Sequence, residues 1–233
     1  MNALRAELSW THYRSLIRID EENKRSFYEI ECIKNNWSTR ELERQINSLL
    51  FERLALSRDK ESVLELAMNG QSLSTPADLV KDPYVLEFLG LQETEKLYEN
   101  SLESALIEHL QHFMLELGKG FTFVARQKRI TLDGAHFYID LVFYNYLLKC
   151  FVIIDLKTGE LTHQDIGQMQ MYVNFYHREL TPEGDNPPIG IVLCADKKDA
   201  VVKYTLPEDN KQIFASRYTV YLPWAEVRGR AVR

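Results

Sequence analysis

The sequence has few cysteines and lacks any long apolar run. Its 233 residues include Cys32, Cys150 and Cys194, which are widely spaced and form no CxxC pair. An odd, scattered set of cysteines argues against both a disulfide framework and a zinc knuckle. No stretch of 18 apolar residues is long enough to cross a bilayer, and "MNALRAELSW" lacks the apolar core of a secretory signal. These absences predict a protein of the reducing cytoplasm that has no membrane partner.

An excess of positive charge is also missing. The chain has 28 Lys and Arg against 34 Asp and Glu, a formal net charge of −6. This balance gives no overall attraction to nucleic acid or to an anionic membrane, so any polyanion would have to be bound by a local basic patch. With 45% hydrophobic and 27% charged residues, the composition is that of an ordinary globular protein with enough material for a core.

Glycine and strand-like patterns are scarce in the first 70 residues, where Gly70 is the one glycine. Ser38 and Glu41 form a Ser-x-x-Glu capping box, which predicts a helix that begins just after Trp37. The segment "KNNW" before it is typical of a turn. The apolar residues that follow recur at helical spacing: Leu42, Ile46, Leu49, Leu50 and Leu54. We therefore expect a helical N-terminal region, residues 1–73, which includes a helix, a short turn and a second helix.

Two interpretations of this helical pair remain open. It is compatible with a helix-turn-helix that reads DNA, because Arg40, Arg44 and Arg53 lie on the second helix. Alternatively, it is a helical hairpin for packing or dimerisation whose arginines lie on a solvated face. The arginines alternate with acids, which favours the second interpretation: Glu41, Glu43 and Glu52.

The pattern of residues changes after the connector "NGQSLSTPADLVKDP", which is rich in turn-forming residues. A helix is predicted in "LESALIEHLQHFMLELGKG", ending at Gly118 or Gly120. Three strand-like runs follow at 121–132, 136–145 and 149–157. A helix in "THQDIGQMQMYVNFYHREL" and a buried strand in "PIGIVLCAD" complete the order αβββαβ. This order predicts an α/β domain with a mixed sheet flanked by helices, which we assign to residues 74–233.

Three charged residues lie where aliphatic side chains are expected in these strands. They are Asp140 in "IDLVFYN" and Asp155 with Lys157 in "IIDLKTG". Because side chains alternate along a strand, Asp155 and Lys157 share one face, opposite Val152, Ile154 and Leu156. By the same rule Asp140 lies opposite a second apolar set: Ile139, Leu141 and Phe143. If the two strands pair as neighbours, all three charges converge on one side of the sheet.

Such charges are costly to bury unless they are matched. Two carboxylates and one ammonium leave a net negative site, which suits a hard divalent cation with oxygen ligands. The alternative is an ordinary ion pair between Asp155 and Lys157 at a strand end, with Asp140 in a turn. The position of Asp140 inside an apolar strand favours the cation site.

At this point the sequence resembles a known superfamily. Asp140 followed by Asp155-Leu156-Lys157 is similar to the D…(D/E)-x-K signature of the PD-(D/E)xK nucleases, although Ile139 replaces the proline of the name. The segment "QMQMY", from Gln168 to Tyr172, resembles the Q-x-x-x-Y motif of their exonuclease-like branch. Residues 80–225 resemble the YhcG-type family of bacterial nucleases, and the first 70 residues resemble its helical N-terminal region. The resemblance implies a restriction-endonuclease-like core for the α/β domain.

The resemblance also implies a metal-dependent nuclease that hydrolyses DNA. Asp140 and Asp155 would hold Mg²⁺ or Mn²⁺, which polarises the scissile phosphate and lowers the pKa of a bound water. Lys157 would position or activate that water and offset charge in the transition state. Two alternatives remain: a nuclease-fold module that binds nucleic acid or a protein partner without cutting, and an enzyme that acts on RNA. The intact set of two acids and a lysine favours the enzyme.

Nucleases of this kind often add an acid from the first helix of the core. At 100° per residue, Glu103 falls inside the apolar arc of that helix and Glu108 lies roughly opposite it. We therefore predict Glu103 as the third metal ligand, with a side chain that snorkels at the edge of the arc as the alternative. Gln168 and Tyr172 lie one helical turn apart and are expected to bind a phosphate or to order the metal shell.

A local basic patch is predicted in "GKGFTFVARQKRITL", which contains no acid. Its cations would contact phosphates without reading base sequence: Lys119, Arg126, Lys128 and Arg129. A basic edge strand that resists aggregation is the competing interpretation. In the N-terminal region Arg40 and Arg44 are the candidate DNA contacts, and the same helices are candidates for forming a homodimer.

Overall fold

The chain divides into a helical unit and an α/β unit. The computed structural model describes residues 7–55, 60–91 and 98–222. The first unit runs to Ser72, and the second covers Leu73–Tyr221. None of the described helices is both long enough and apolar enough to cross a bilayer.

The helical unit is built from short helices around one apolar core. Its helices are α1 (Trp10–Leu16), α2 (Glu22–Asn35), α3 (Thr39–Asn47), α4 (Leu50–Ala55) and α5 (Lys60–Asn69). Tyr28 lies at the centre of this core, fully buried. Its hydroxyl donates to the carbonyl of Gln45 at 3.1 Å and accepts from the amide of Phe51 at 3.2 Å. One side chain therefore joins α2 to both α3 and α4.

The capping box at Ser38 predicts the start of α3 correctly. The Oγ of Ser38 accepts a hydrogen bond from the amide of Glu41 at 3.2 Å. The turn in "KNNW" is also confirmed, because α2 ends at Asn35 and Asn36 adopts a left-handed conformation. The apolar stripe does not follow one continuous helix, however. Leu49 has a φ of 56°, so the chain breaks between α3 and α4 and the stripe is divided over two helices.

The α/β unit contains the predicted order αβββαβ with additional elements at both ends. Its strands are β1 (Tyr84–Val85), β2 (Phe121–Leu132), β3 (Ala135–Asn145), β4 (Cys150–Glu160), β5 (Ile189–Asp196) and β6 (Ile213–Thr219). Its helices are α6 (Glu99–Glu108), α7 (Leu110–Leu117), α8 (His163–Phe175) and α9 (Asp199–Thr205), and α8 continues into a π-helical turn at Tyr176–Leu180. The single helix predicted before β2 is broken at His109, which separates α6 from α7.

The six strands form one mixed sheet in the order β1-β6-β5-β4-β3-β2. β2, β3 and β4 are antiparallel neighbours, whereas β4, β5, β6 and β1 pair in parallel. Helices α6 and α7 pack on one face and α8 on the other. Gly190 permits the close approach of α8 to β5, because a Cβ there would lie 2.4 Å from the Sδ of Met169.

Strand β3 does not keep strict alternation over its whole length. Leu141 and Phe143 share a face, as predicted, and pack in the core beneath α6 and α7. Ile139 instead packs in the core beneath α8. The expectation that these three residues share a face is therefore wrong for Ile139. The switch occurs at Asp140, where β3 separates from β4 and where Gln127, on the neighbouring strand, has a φ of 45°.

Candidate active site

Asp140 lies where β3 and β4 separate. The last paired residues of the two strands are Leu141 and Ile154. Beyond that pair the Oδ2 of Asp140 accepts a hydrogen bond from the amide of Leu156 at 2.8 Å. A carboxylate oxygen thus replaces the carbonyl that a continuing strand would offer. Burial raises the pKa of Asp140, and the hydrogen bond from Leu156 opposes that rise.

Asp155 is buried in the middle of β4, between β3 and β5. Asp155 is 2% exposed. Its neighbours Val152, Ile154 and Leu156 face the other side of the sheet, in the core beneath α6, as alternation predicts. Burial raises the pKa of Asp155 to about 7, with the nearby Lys157 opposing the shift and Asp140 adding to it. The Nζ of Lys157 lies 3.0 Å from the Oδ2 of Asp155. The two residues of the D-x-K motif therefore form a buried ion pair.

Lys157 lies within reach of three carboxylates. Besides Asp155, its Nζ is 3.8 Å from Glu99 on α6 and 4.0 Å from Asp165 on α8. Burial acts to lower the pKa of Lys157, but the charges of these acids outweigh burial and raise it. Lys157 is therefore held in its charged form. Glu99 and Asp165 are two acidic neighbours of Lys157 that the sequence patterns did not identify.

Glu103 points from α6 toward the sheet, and Glu108 is exposed, as the helical wheel predicts. Glu103 is 3% exposed. Its Oε1 lies 3.1 Å from the Nε of Arg126 on β2, and its Oε2 accepts a hydrogen bond from the side-chain amide of Gln127. Arg126 is therefore engaged by an acid of the site, although its side chain is still 47% exposed.

Gln127 joins Glu103 to Asp140, a contact that no sequence pattern indicated. Its Nε2 donates to Glu103 and also to the Oδ1 of Asp140 at 3.1 Å. The backbone of Gln127 is left-handed, with a φ of 45° in the middle of a strand. A polar residue in a basic strand gives no signal for such a contact, because the contact depends on a local backbone conformation that no periodicity encodes.

The acids suit a hard cation even though they do not surround one in this conformation. Across residues 7–55, 60–91 and 98–222, no three His, Cys, Asp or Glu side chains are clustered in a way that could hold a metal ion. The Gln127 amide and Lys157 stand between the acids instead. Within that part of the chain, the Oδ2 of Asp155 and the Oε1 of Glu103 are buried, and each is paired with a cation, Lys157 and Arg126 respectively. Buried carboxylate oxygens of this kind are the ligands that Mg²⁺ and Mn²⁺ prefer.

Gln168 and Tyr172 are joined to each other and to β3. Tyr172 is fully buried, and its hydroxyl donates to the carbonyl of Tyr138 at 2.9 Å. The side-chain amide of Gln168 donates to that hydroxyl. Burial raises the pKa of Tyr172, so its hydroxyl stays protonated. The pair therefore fixes α8 against the strand that carries Asp140.

The predicted basic residues divide into separate places. Lys128 and Arg129 are exposed on β2, opposite Ile139 and Tyr138, where β2 and β3 continue together beyond the last pair of β3 with β4. Lys119 precedes β2, and its carbonyl accepts from the side chain of Asn145 at the opposite end of β3. At 3.3 Å per residue, Lys119 is roughly 25 Å from the level of Gln127. The structure therefore does not bring Lys119 to the acids.

Arg40 and Arg44 lie on α3 of the helical unit. Arg40 is exposed, whereas Arg44 is largely buried and lies 3.6 Å from the Oε1 of Glu41. Arg53 is buried, and its Nε donates to the carbonyl of Ser48 at 2.8 Å. Only Arg40 of these three presents an exposed cation.

Comparison with known families places the chain among nucleases. Residues 77–229 match the YhcG PDDEXK nuclease domain, and residues 1–53 match the DUF1016 N-terminal domain. The chain therefore belongs to the YhcG family of PD-(D/E)xK nucleases, and its α/β unit is a restriction-endonuclease-like domain.

A curated relative extends this similarity over most of the chain. It is "Putative nuclease YhcG" of Escherichia coli (strain K12), which is 42% identical over 211 residues, or 91% of this chain. The chain spans 56% of the length of that relative. Among solved structures, a repair endonuclease from Pyrococcus abyssi overlaps 54% of this chain and 49% of its own at 16% identity and a TM-score of 0.37. An EndoMS–dsDNA complex overlaps 55% and 48% at 13% identity and a TM-score of 0.38.

Proposed function

We propose that this protein is a metal-dependent nuclease that hydrolyses phosphodiester bonds in DNA. The observation that carries the proposal is the arrangement of Asp140, Asp155 and Lys157 where β3 and β4 separate. Asp155 is buried, and the ammonium of Lys157 lies 3.0 Å from its Oδ2. Two carboxylates beside one ammonium leave a net negative charge, which a divalent cation with oxygen ligands would compensate.

Asp140, Asp155 and Glu103 are the residues that would hold Mg²⁺ or Mn²⁺. When bound, the ion would act as a Lewis acid on the scissile phosphate and lower the pKa of a bound water. The chain itself determines where the acids point. Asp140 is oriented by the amide of Leu156, and Asp155 is fixed by burial within β4. A site oriented in this way needs little rearrangement during the reaction.

Lys157 contributes a fixed positive charge. Because the surrounding acids raise its pKa, it is protonated at neutral pH and cannot accept a proton in this state. Its ammonium would therefore orient the attacking water and offset the negative charge that develops on the phosphate in the transition state. A neighbouring cation stabilises this negative charge more strongly here than in water, because the site is partly buried.

The ribbon formed by β2 and β3 beyond the last pair of β3 with β4 supplies the contact surface for DNA. Its exposed cations, Lys128 and Arg129, would bind phosphates on either side of the cleavage point. Contacts to phosphates fix the position of the duplex and carry no base information, so we expect little sequence preference from this surface. In the helical unit, Arg40 would add a phosphate contact, and α1–α5 would serve in targeting or in forming a homodimer.

The test is cleavage by the purified protein. Linear, circular and single-stranded DNA, together with RNA, are incubated with Mg²⁺, with Mn²⁺ or with EDTA, and the products are resolved by gel electrophoresis. We expect cleavage of DNA with either metal and none with EDTA. Cleavage of RNA alone would assign the enzyme to RNA. Binding of DNA without cleavage under every condition would favour a nuclease-fold module that does not cut.

A further inference from the structure

The side-chain amide of Gln127 lies between two acids of the proposed metal site. One nitrogen, Nε2, donates to the Oε2 of Glu103 and to the Oδ1 of Asp140. Because both oxygens accept from the same nitrogen, they are separated by at most two hydrogen-bond lengths, about 6 Å. A cation bound by both carboxylates would need the space that this nitrogen fills.

The backbone of β2 is distorted at the residue that makes this contact. In a regular strand, consecutive side chains point to opposite faces. Here the consecutive residues Arg126 and Gln127 both contact Glu103, one at each carboxylate oxygen. The left-handed φ of 45° at Gln127 turns its side chain to the same acid. A residue other than glycine is strained in this region, and such strain is concentrated at functional sites.

Gln127 would compete with a cation for the place between the two acids, and its side chain has room to move. Gln127 is exposed, in contrast to Glu103, which is 3% exposed. Rotation of the Gln127 side chain would place its amide in solvent, where water replaces both of its acceptors. The side chain of Glu103 is enclosed by the protein and has less room to move. Of the two groups, Gln127 is therefore the one that can yield.

We propose that Gln127 is a positioning residue that occupies the cation's place between Glu103 and Asp140 and is displaced when the metal binds. In the metal-free protein its N–H groups hold the two acids together and reduce their repulsion. In the loaded protein the cation does both, and the amide turns outward. This inference rests on the proposed function, because it requires that Glu103 and Asp140 hold the metal.

Displacement of Gln127 by the metal would change the metal affinity in a definite direction. A side chain that stabilises the metal-free form and is lost from the loaded form weakens metal binding. Its removal should therefore strengthen metal binding and destabilise the metal-free protein. If the amide instead kept both contacts in the loaded form, its removal would weaken binding. The direction of the change in affinity thus distinguishes a displaced residue from a retained one.

The experiment measures Mn²⁺ binding by isothermal titration calorimetry and the melting temperature of the metal-free protein in EDTA. The variants are Gln127→Ala, which removes the amide and keeps a left-handed residue with a Cβ, and Gln127→Gly, which also removes the backbone strain. The matched control is Gln170→Ala on α8, which removes a glutamine amide whose partner is Asn174, outside the site.

We expect Gln127→Ala and Gln127→Gly to bind Mn²⁺ about tenfold more tightly than the wild type, and Gln170→Ala to bind with wild-type affinity. Gln127→Ala should also melt at a lower temperature in EDTA. Unchanged or weaker Mn²⁺ binding by both Gln127 variants, with a wild type that binds, would overturn this inference and leave the proposed function intact. A wild type that binds neither Mn²⁺ nor Mg²⁺ would instead overturn the metal dependence in the proposed function.

Discussion

The carboxylate of Asp140 accepts a hydrogen bond from the amide of Leu156, with an N···O distance of 2.8 Å, across the point where their strands no longer pair. Asp140 therefore has a structural task in addition to its proposed role as a metal ligand. It satisfies a backbone donor that would otherwise lose its partner on that side. The two tasks can be separated, because asparagine retains an acceptor oxygen for Leu156 and lacks the charge that a cation requires.

We predict that Asp140→Asn and Asp140→Ala differ in stability but not in metal response. In the wild type, Mg²⁺ or Mn²⁺ should raise the melting temperature, because the ion binds only the folded state. Both variants should show a reduced rise. In EDTA, Asp140→Asn should be more stable than Asp140→Ala, because asparagine keeps the acceptor for Leu156 and gives up only the contact with Gln127. Asp140→Ala should lose about 1–3 kcal/mol because the Leu156 amide is unsatisfied. Thermal and urea unfolding measure these differences. Equal metal-induced shifts in all three proteins would count against Asp140 as a ligand.

Loss of either member of the D-x-K motif should abolish cleavage while the fold is preserved. Asp155→Ala removes a proposed ligand, and Lys157→Ala removes the fixed cation, so each should reduce the rate by at least about 100-fold. The control is Glu108→Ala, an acid on α6 that is exposed to solvent and should cleave at the wild-type rate. Rates are measured under single-turnover conditions, with circular dichroism as the check on folding. Wild-type cleavage by both variants would show that the site lies elsewhere.

The metal-free protein should become less stable as the pH rises from about 4 to about 7. The folded-state pKa of Asp155 is about 7, above the value near 4 of an unfolded aspartate. Between these values the unfolded chain releases a proton that the folded chain retains, so folding is penalised increasingly with pH, by at most about 1.4 kcal/mol per pH unit. The penalty is absent below both pKa values and constant above them.

Urea unfolding in EDTA across this range tests that prediction, with Asp155→Asn as the reference. The stability of the wild type relative to Asp155→Asn should fall from pH 4 to pH 7 and then level off. The difference isolates Asp155 from the other charged groups near it, which include Lys157 and Asp140. A difference that is flat over the whole range would mean that Asp155 is ionised in the folded protein at pH 5.

Tyr172→Phe should destabilise the α/β unit more than the same substitution at an exposed tyrosine. Its hydroxyl donates to Tyr138 on β3 and accepts from Gln168 on α8, and phenylalanine leaves both partners unsatisfied. We expect a loss of about 1–3 kcal/mol in urea unfolding. Tyr146→Phe is the matched control, because Tyr146 is 61% exposed and its substitution should cost little. If Tyr172→Phe were as stable as the control but cleaved poorly, the hydroxyl would act on substrate and not on packing.

A protein that begins at Leu73 should fold and keep its metal response, because every proposed ligand lies on α6, β3 or β4. It should bind DNA more weakly or lose self-association, as measured by fluorescence anisotropy and by light scattering. In the full chain, Arg40→Ala should reduce the salt dependence of DNA binding by about one slope unit if Arg40 contacts a phosphate. An insoluble or metal-insensitive truncated protein would show that the helical unit completes the nuclease domain.

Sequence patterns predicted the regular parts of the molecule well and the exceptions poorly. The strands β2–β5 and helix α8 follow clear periodicities and turn signals, and all were predicted. The break at His109 and the break at Leu49 were not, because an apolar stripe continues across each of them. β6 was missed because "IFASRYT" mixes polar and apolar residues without clean alternation. β1 has two residues, too few to form a pattern.

The same contrast holds for the site. Asp140, Asp155 and Lys157 could be found because a charge inside an apolar strand is a costly anomaly. Glu103 could be placed because a helix has a regular period. Gln127 could not, because its contact depends on a left-handed backbone at one position of a strand. Glu99 and Asp165 are near Lys157 only through tertiary packing, to which local spacing is blind.

The parallel half of the sheet has a consequence for the synthesis of the chain. β5 is buried throughout its apolar stretch, between β4 and β6, and β6 is the last of the described strands to leave the ribosome. Until residues 213–219 emerge, β5 would present an open, apolar edge of the kind that recruits other chains. Because these pairings join distant parts of the sequence, they also form slowly. A nascent chain that stalls before β6 should therefore depend on chaperones, and a truncation there should aggregate in the cell.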